Sequence, residues 1–85
     1  MIIKYLDQIH ILQNYNSIIR GGQPNNPSIH LQKDNGHFFA LEFNSKELRD
    51  EILKEIWEKM ITKEEFFDID ETIKVFKDAK KYNVI

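Results

Sequence analysis

The spacing of apolar residues divides the chain into four stretches, and the spacing differs from one stretch to the next. Within residues 4–20 it is three and four residues, which predicts a helix that ends before Gly21 and Gly22. The stripe comprises Tyr5, Leu6, Ile9, Leu12, Tyr15, Ile18 and Ile19. Strands are the alternative, because residues 8–11 alternate in polarity and Ile18 and Ile19 favour sheet. The helical stripe is longer than the alternation, so we predict a helix.

Residues 21–27 are rich in glycine, asparagine and proline, which predicts a loop inside the domain. After it, residues 28–43 alternate in polarity on either side of an Asp-Asn-Gly sequence, which predicts an antiparallel β-hairpin. A two-residue turn at Asn35-Gly36 would leave the apolar residues on opposite faces. A three-residue loop, Asp34 to Gly36, brings them to one face, so we predict this loop with a G1 bulge. That face comprises Ile29, Leu31, Phe39, Leu41 and Phe43.

Residues 45–62 have the strongest helical pattern in the chain. Asn44 is the predicted N-cap, and Glu47 completes a capping box. The apolar face of this helix comprises Leu48, Ile52, Leu53, Ile56, Trp57, Met60 and Ile61. The amphipathic pattern predicts that the helix packs against the hairpin.

Residues 63–85 are predicted to continue as helical segments. Thr62 to Glu65 resembles a second capping box, which would start a short helical turn through Phe67. Asp68 or Asp70 would cap a last helix, whose inner face comprises Ile69, Ile73, Phe76 and Ala79. The predicted fold is therefore a single α+β domain over residues 1–85. Its order is an N-terminal helix, an antiparallel hairpin, a long amphipathic helix and a C-terminal helical segment.

Composition narrows the function classes. The 85 residues include no cysteine, which excludes disulfides and thiolate metal sites. The net charge of −2 gives no global attraction to nucleic acid or to acidic membranes. Apolar runs are far shorter than the roughly 20 residues that a membrane span requires. These features are typical of a cytoplasmic protein.

Candidate catalytic and metal-binding residues are few. His10, His30 and His37 do not form a ligand pattern on any predicted helix, so exposed histidines are expected. Asp68 and Asp70 resemble the start of a calcium loop, but the glycine and glutamate that such a loop needs further on are missing. We therefore predict no catalytic residues, no cofactor and no metal, and a protein that is not an enzyme.

Two surfaces remain as candidates for binding. The exposed aromatic and apolar residues of the hairpin, the long helix and the tail suggest a protein interface. They are Phe38, Trp57, Met60, Phe66 and Phe67. A basic stripe on the last helix could instead contact nucleic acid, although lysines are also common near helix C-termini. It comprises Lys74, Lys77, Lys80 and Lys81.

The predicted order of helix, glycine-rich loop, hairpin and the helix that starts at Asn44-Ser45 resembles small phage and prophage proteins of low-GC Gram-positive bacteria. The resemblance covers roughly residues 5–62. It implies an accessory protein that modulates a host protein by binding, and it implies no catalytic residues. The expected function is a protein-binding accessory or regulatory module, and one form of it would be a homodimer formed through residues 45–62. Nucleic-acid binding is the alternative.

Overall fold

A computed structural model describes the backbone of residues 1–83 and the side chains of residues 1–76. The described residues form six strands, two α-helices and one short 3-10 helix. In chain order these are β1 (Ile2–Tyr5), β2 (Gln8–Ile11), the 3-10 helix (Leu12–Asn14), β3 (Ser17–Gln23), β4 (Asn26–Gln32), β5 (Phe38–Glu42), α1 (Lys46–Ile61), β6 (Phe66–Asp68) and α2 (Ile69–Asn83). The fold is α+β, but the predicted order is wrong, because strands come first.

The strands form two three-stranded sheets. In the first sheet β1 is central, antiparallel to β2 and parallel to β6, which comes from far along the chain. The second sheet is an antiparallel meander of β3, β4 and β5. Helix α1 packs against β4, and α2 packs against β1.

The predicted N-terminal helix over residues 4–20 is replaced by β1, β2, the 3-10 helix and the start of β3. The chain reverses between β1 and β2 at Leu6 and Asp7, whose φ angles are 50° and 61°. Positive φ at both central residues is the geometry of a type I′ hairpin turn. Ile3 and Tyr5 are buried while Ile2 is exposed, which is the alternation of a strand.

The predicted loop over residues 21–27 is also wrong. Strands β3 and β4 pair through this region as far as Gln23 and Asn26, and the chain turns at Pro24 and Asn25. Gly22 has a φ of 84°, and a Cβ there would lie 2.2 Å from the carbonyl oxygen of Asn26. Glycine is therefore required inside a tight hairpin, and in this chain it does not mark a loop.

The hairpin of β4 and β5 has the predicted register. Ile29 lies opposite Leu41, and Leu31 lies opposite Phe39. The Gly36 N–H donates to the Lys33 carbonyl at 3.2 Å, and Gly36 has a φ of 82°. The three-residue loop with glycine in the left-handed region is therefore confirmed.

Helix α1 also forms where expected, but its cap is Ser45 and Asn44 precedes it. The Ser45 hydroxyl accepts the backbone N–H of Leu48 at 3.1 Å, so the N-cap lies one residue later than the predicted Asn44. The buried face of α1 consists of Leu48, Arg49, Ile52, Leu53 and Ile56.

The tail contains a strand where a helical turn was predicted. Residues Phe66–Asp68 form β6 beside β1, and α2 follows directly. Asp68 caps α2, because its carboxylate accepts the N–H of Glu71 at 3.0 Å. Ile69 is fully buried, and Ile73 and Phe76 pack partly against the core. The side chain of Ala79 lies outside the described residues.

The core lies between the two sheets and the helices. It comprises Ile3, Tyr5, Leu12, Ile29, Leu31, Leu41, Phe43, Leu48, Ile52, Leu53, Ile56, Phe67 and Ile69. The rings of Tyr5 and Phe43 stack with centroids 5.0 Å apart, which joins the first sheet to the end of β5. No helix in the described part of the chain is both long and apolar enough to cross a bilayer.

Candidate functional site

One face of the first sheet carries exposed apolar side chains next to Lys4 and its ion pair with Asp68. Ile3 and Tyr5 point into the core, so the neighbouring side chains of β1 point outward. Ile2 pairs with Ile11 of β2 and with Phe66 of β6, which places three apolar side chains in one row across the sheet. We call the set of Ile2, Ile9, Ile11 and Phe66 the outer face; its members are 38–67% exposed.

A groove adjoins the outer face at Ile2. It is an open cavity of about 570 Å³ between the start of β1, the 3-10 helix and the end of α1. Its apolar lining comprises Met1, Ile2, Leu12 and Met60, and its polar lining comprises Gln13, Lys63, Glu64 and Glu65. Both signs of charge are therefore present beside an apolar surface.

The groove continues along α1 toward Trp57. A second cavity of about 200 Å³ shares Leu12 and Met60 with the groove and also contacts Tyr15, Ile18 and Trp57. Trp57 is 46% exposed and Met60 is 45% exposed. The outer face, the groove and Trp57 thus form one continuous apolar surface.

The end of α1 explains why this surface stays open. The helix stops at Thr62, whose N–H donates to the Glu58 carbonyl at 3.0 Å. Lys63 then takes a φ of 60°, and the chain turns back toward β1 to form β6. Because the chain leaves the helix in this direction, nothing in the described residues covers the last turn, and Ile61 is 80% exposed.

The five predicted interface residues do not form one site. Met60 lines the groove, Trp57 lines the adjoining cavity, and Phe66 lies on the outer face. Phe38 lies on the second sheet, where its ring stacks on His30 at 4.3 Å and 55% of the residue is exposed. Phe67 is only 3% exposed and belongs to the core, so it does not contribute to a surface.

Sequence reasoning missed Ile2, Ile9 and Ile11 as surface residues, and it missed that Leu12 lines the groove. The helical assignment of residues 4–20 turned Ile9 and Leu12 to the same inner stripe. The alternation of residues 8–11 was the available signal, since it puts Ile9 and Ile11 on one face and His10 on the other.

The basic stripe can be located only in part. Lys74 is exposed on α2, close to the acidic Asp70 and Glu71. The side chains of Lys77, Lys80 and Lys81 lie outside the described residues. Nucleic-acid binding by this stripe stays a prediction.

The histidines differ from one another in burial. His10 was expected to be exposed and is instead 7% exposed, with its ring 4.6 Å from Phe39 and its Nδ1 3.4 Å from the Tyr15 hydroxyl. Burial lowers the pKa of His10. His30 lies under Phe38, and His37 is exposed at the hairpin tip.

The acidic residues of the tail have structural partners. Asp68 caps α2, while Asp70 accepts hydrogen bonds from the Lys4 ammonium at 2.8 Å and from the Leu6 N–H at 2.9 Å. Burial raises the pKa of Asp70, but the bonds from Lys4 and Leu6 outweigh it and hold the pKa below its usual value. Within the described residues, no group of three or more histidine and acidic side chains could hold a metal ion.

Comparison of the chain with protein-family models, with curated proteins and with solved structures finds no match.

Proposed function

We propose that this chain is a small protein-binding module that acts as an accessory or regulatory protein. In this proposal the groove receives an apolar segment of a partner protein. The observation that carries it is the continuity of the exposed apolar surface from Ile2 through Met60 to Trp57. Contiguous exposed apolar patches rimmed by polar residues commonly mark interaction sites.

The composition of the groove supports a protein segment as the ligand. Met1 and Met60 are flexible, polarizable side chains that adapt to the shape of an apolar partner. Trp57 is of the residue type most often found at binding hot spots. Lys63, Glu64 and Glu65 supply a charged rim, which is the usual surround of an apolar interface centre. The partner would therefore insert one or two large apolar side chains and meet charges around them.

The accessory role itself comes from the resemblance to phage and prophage proteins. That resemblance included a first helix, and residues 4–20 form strands instead. We therefore base the proposal of protein binding on the apolar surface. Modulation of a host protein is a further proposal that rests on the resemblance. Only Lys74 of the basic stripe has a described side chain, so we do not put nucleic-acid binding forward as a second function.

Peptide selection can test the groove. Peptides selected from a displayed random library on the immobilised protein should contain large apolar residues, and they should shift the emission of Trp57 to shorter wavelength. Met60→Lys should weaken their binding at least tenfold, because it puts a charge in the apolar lining. Fluorescence anisotropy with labelled peptides measures the change.

Ile61→Lys is the matched control, because Ile61 neighbours Met60 in sequence but does not line the groove. It should leave peptide affinity within about twofold. Equal losses in both variants, or selected peptides that bind Met60→Lys as well as wild type, would contradict the proposal. If the ligand were a second copy docked through α1, the wild-type chain would form a dimer through this surface. Met60→Lys would then reduce the mass seen in light scattering from that of the dimer to that of one copy.

A further inference from the structure

We infer that β2 is an assembly edge, where this chain pairs with β2 of a second copy in antiparallel orientation. The two first sheets would join into one sheet of six strands around a two-fold axis. This pairing uses backbone groups of β2 and does not depend on the groove.

The hydrogen-bonding pattern of β1 and β2 determines which backbone groups are free. The turn at Leu6 and Asp7 makes Tyr5 and Gln8 the first hydrogen-bonded pair, and such pairs recur at every second residue. The Leu12 N–H donates to the Met1 carbonyl at 3.0 Å, as expected if every second pair counted from Tyr5 and Gln8 is hydrogen-bonded. The N–H and C=O groups of Gln8 and His10 therefore point to β1, and those of Ile9 and Ile11 point away from the sheet.

These outward groups have no hydrogen-bond partner within the described part of the chain. Ile9 and Ile11 thus offer two N–H donors and two C=O acceptors along one open edge, spaced as a second antiparallel strand requires. Unpaired edges of this kind are templates for strand addition.

The spacing also selects a register. If Ile9 of one copy lies opposite Ile11 of the other, both residues of each copy exchange hydrogen bonds, which gives four bonds centred on His10. A register with Ile9 opposite Ile9 would put Ile11 opposite Asp7, which belongs to the turn rather than to the strand. The first register uses every free group and satisfies two-fold symmetry.

The side chains of β2 suit this register. Ile9 and Ile11 are 67% and 46% exposed on the outer face. Across the axis, Ile9 of each copy would contact Ile11 of the other copy. Residues 8–11 carry no formal charge at neutral pH, with histidine neutral, so pairing brings no like charges together. Natural sheet edges are commonly protected by lysine, proline or a bulge, and β2 has neither lysine nor proline.

The other edges of the two sheets are better protected. β6 has only three residues, includes Asp68 and continues directly into α2. β3 includes Arg20, and β5 ends in Glu42. Short length and charge both disfavour strand addition, so β2 is the most open edge of the described fold.

In the proposed register His10 lies at the two-fold axis opposite the same histidine of the second copy, about 5 Å away between Cβ atoms. Its ring is covered by Phe39 and Tyr15 of its own chain, so the pairing leaves its packing unchanged.

Light scattering and amide exchange test the pairing together. The wild-type chain at a few hundred micromolar should have twice the 10.2 kDa mass of one copy. The amides of Ile9 and Ile11 should be protected from exchange at this concentration and lose protection on dilution, whereas the His10 amide, bonded to β1, should stay protected. A monomeric mass at this concentration, or unprotected Ile9 and Ile11 amides in a dimer, would overturn the inference.

Charge variants identify the edge. A chain with both Ile9→Lys and Ile11→Lys should be monomeric, because the register sets lysine opposite lysine, and it should keep its circular dichroism spectrum, since both positions are exposed. Mixing it with a chain carrying Ile9→Glu and Ile11→Glu should restore the doubled mass. A control with Phe38→Lys and Ile61→Lys changes two exposed residues elsewhere and should remain dimeric. A dimeric lysine variant, or a mixture that stays monomeric, would contradict the register.

Discussion

At the scale of single residues, His10 and Asp70 have pKa values that folding shifts, and each shift makes stability depend on pH. Burial lowers the pKa of His10, so below about 6.5 the unfolded chain binds more protons there than the folded chain. Hydrogen bonds hold the pKa of Asp70 below its usual value, so its contribution is complete above about 4 and is lost as the pH falls through the folded pKa. On acidification, the loss of stability due to His10 therefore begins at a higher pH than the loss due to Asp70.

We expect the free energy of unfolding to fall in two steps as the solution is acidified. His10→Phe should flatten the step that begins below about pH 6.5, because the ring no longer titrates and still fits beside Tyr15 and Phe39. Asp70→Asn should reduce the step below about pH 4 and leave the first one unchanged. Urea titrations at fixed protein concentration across this range measure both effects. A step near pH 6 that persists in His10→Phe would assign it to another group.

At the scale of elements, the turn between β1 and β2 is strained by its own residues. Leu6 and Asp7 adopt positive φ angles that cost most L-residues roughly 1–2 kcal/mol each. The N–H of Leu6 bonds to Asp70, which helps to hold this conformation from the first turn of α2. The turn is thus stabilised by a residue that lies 64 positions later in the chain.

Replacing the turn residues should stabilise the protein. Leu6→Asn together with Asp7→Gly gives the sequence that type I′ turns favour, and Leu6 is 66% exposed, so little packing is lost. We expect a gain of about 1 kcal/mol or more, which raises the melting temperature by roughly 4–8 °C per kcal/mol in a domain of this size. Gly36→Ala is a control expected to have the opposite effect. The new Cβ would have open space around it, but residue 36 has a φ of 82°, which alanine disfavours, so the melting temperature should fall.

An element could be predicted from the sequence where its polarity pattern and turn residues agree with the strand pairing of the folded protein. The hairpin of β4 and β5 combines apolar residues at alternate positions with Asp-Asn-Gly, and its register could be derived because one face had to be buried. The β1–β2 turn has neither glycine nor asparagine, so its strands resembled a helical stripe. β6 has three residues and owes its strand conformation to β1, which no local pattern reveals. The groove was therefore predicted only on its α1 side, through Trp57 and Met60.

At the scale of the whole molecule, β6 completes both the first sheet and the core. It pairs with β1 across the length of the chain, and it brings Phe67 and Ile69 under the sheet. Its neighbour Phe66 points to the outer face and is 53% exposed. Adjacent phenylalanines therefore have opposite roles, one in the fold and one on the surface.

Alanine substitutions should separate these roles. Phe67→Ala should cost about 3–5 kcal/mol, which is a large part of the stability of a small domain. Phe66→Ala should change stability by less than about 1 kcal/mol, because its side chain is largely in solvent. Thermal unfolding followed by circular dichroism compares the two variants. Similar losses in both would mean that β6 does not alternate as described.

The central position of β1 has a consequence for the order in which the chain folds. β1 is synthesised before its parallel partner β6, which follows about 60 residues later. Contacts this distant in sequence close late and slow folding, since the entropy of the intervening chain opposes them. Until residues 66–68 emerge, the N-terminal hairpin has one satisfied edge and an exposed apolar face. We therefore expect the nascent chain to pass through a stage in which β1, still without β6, is open to misassociation.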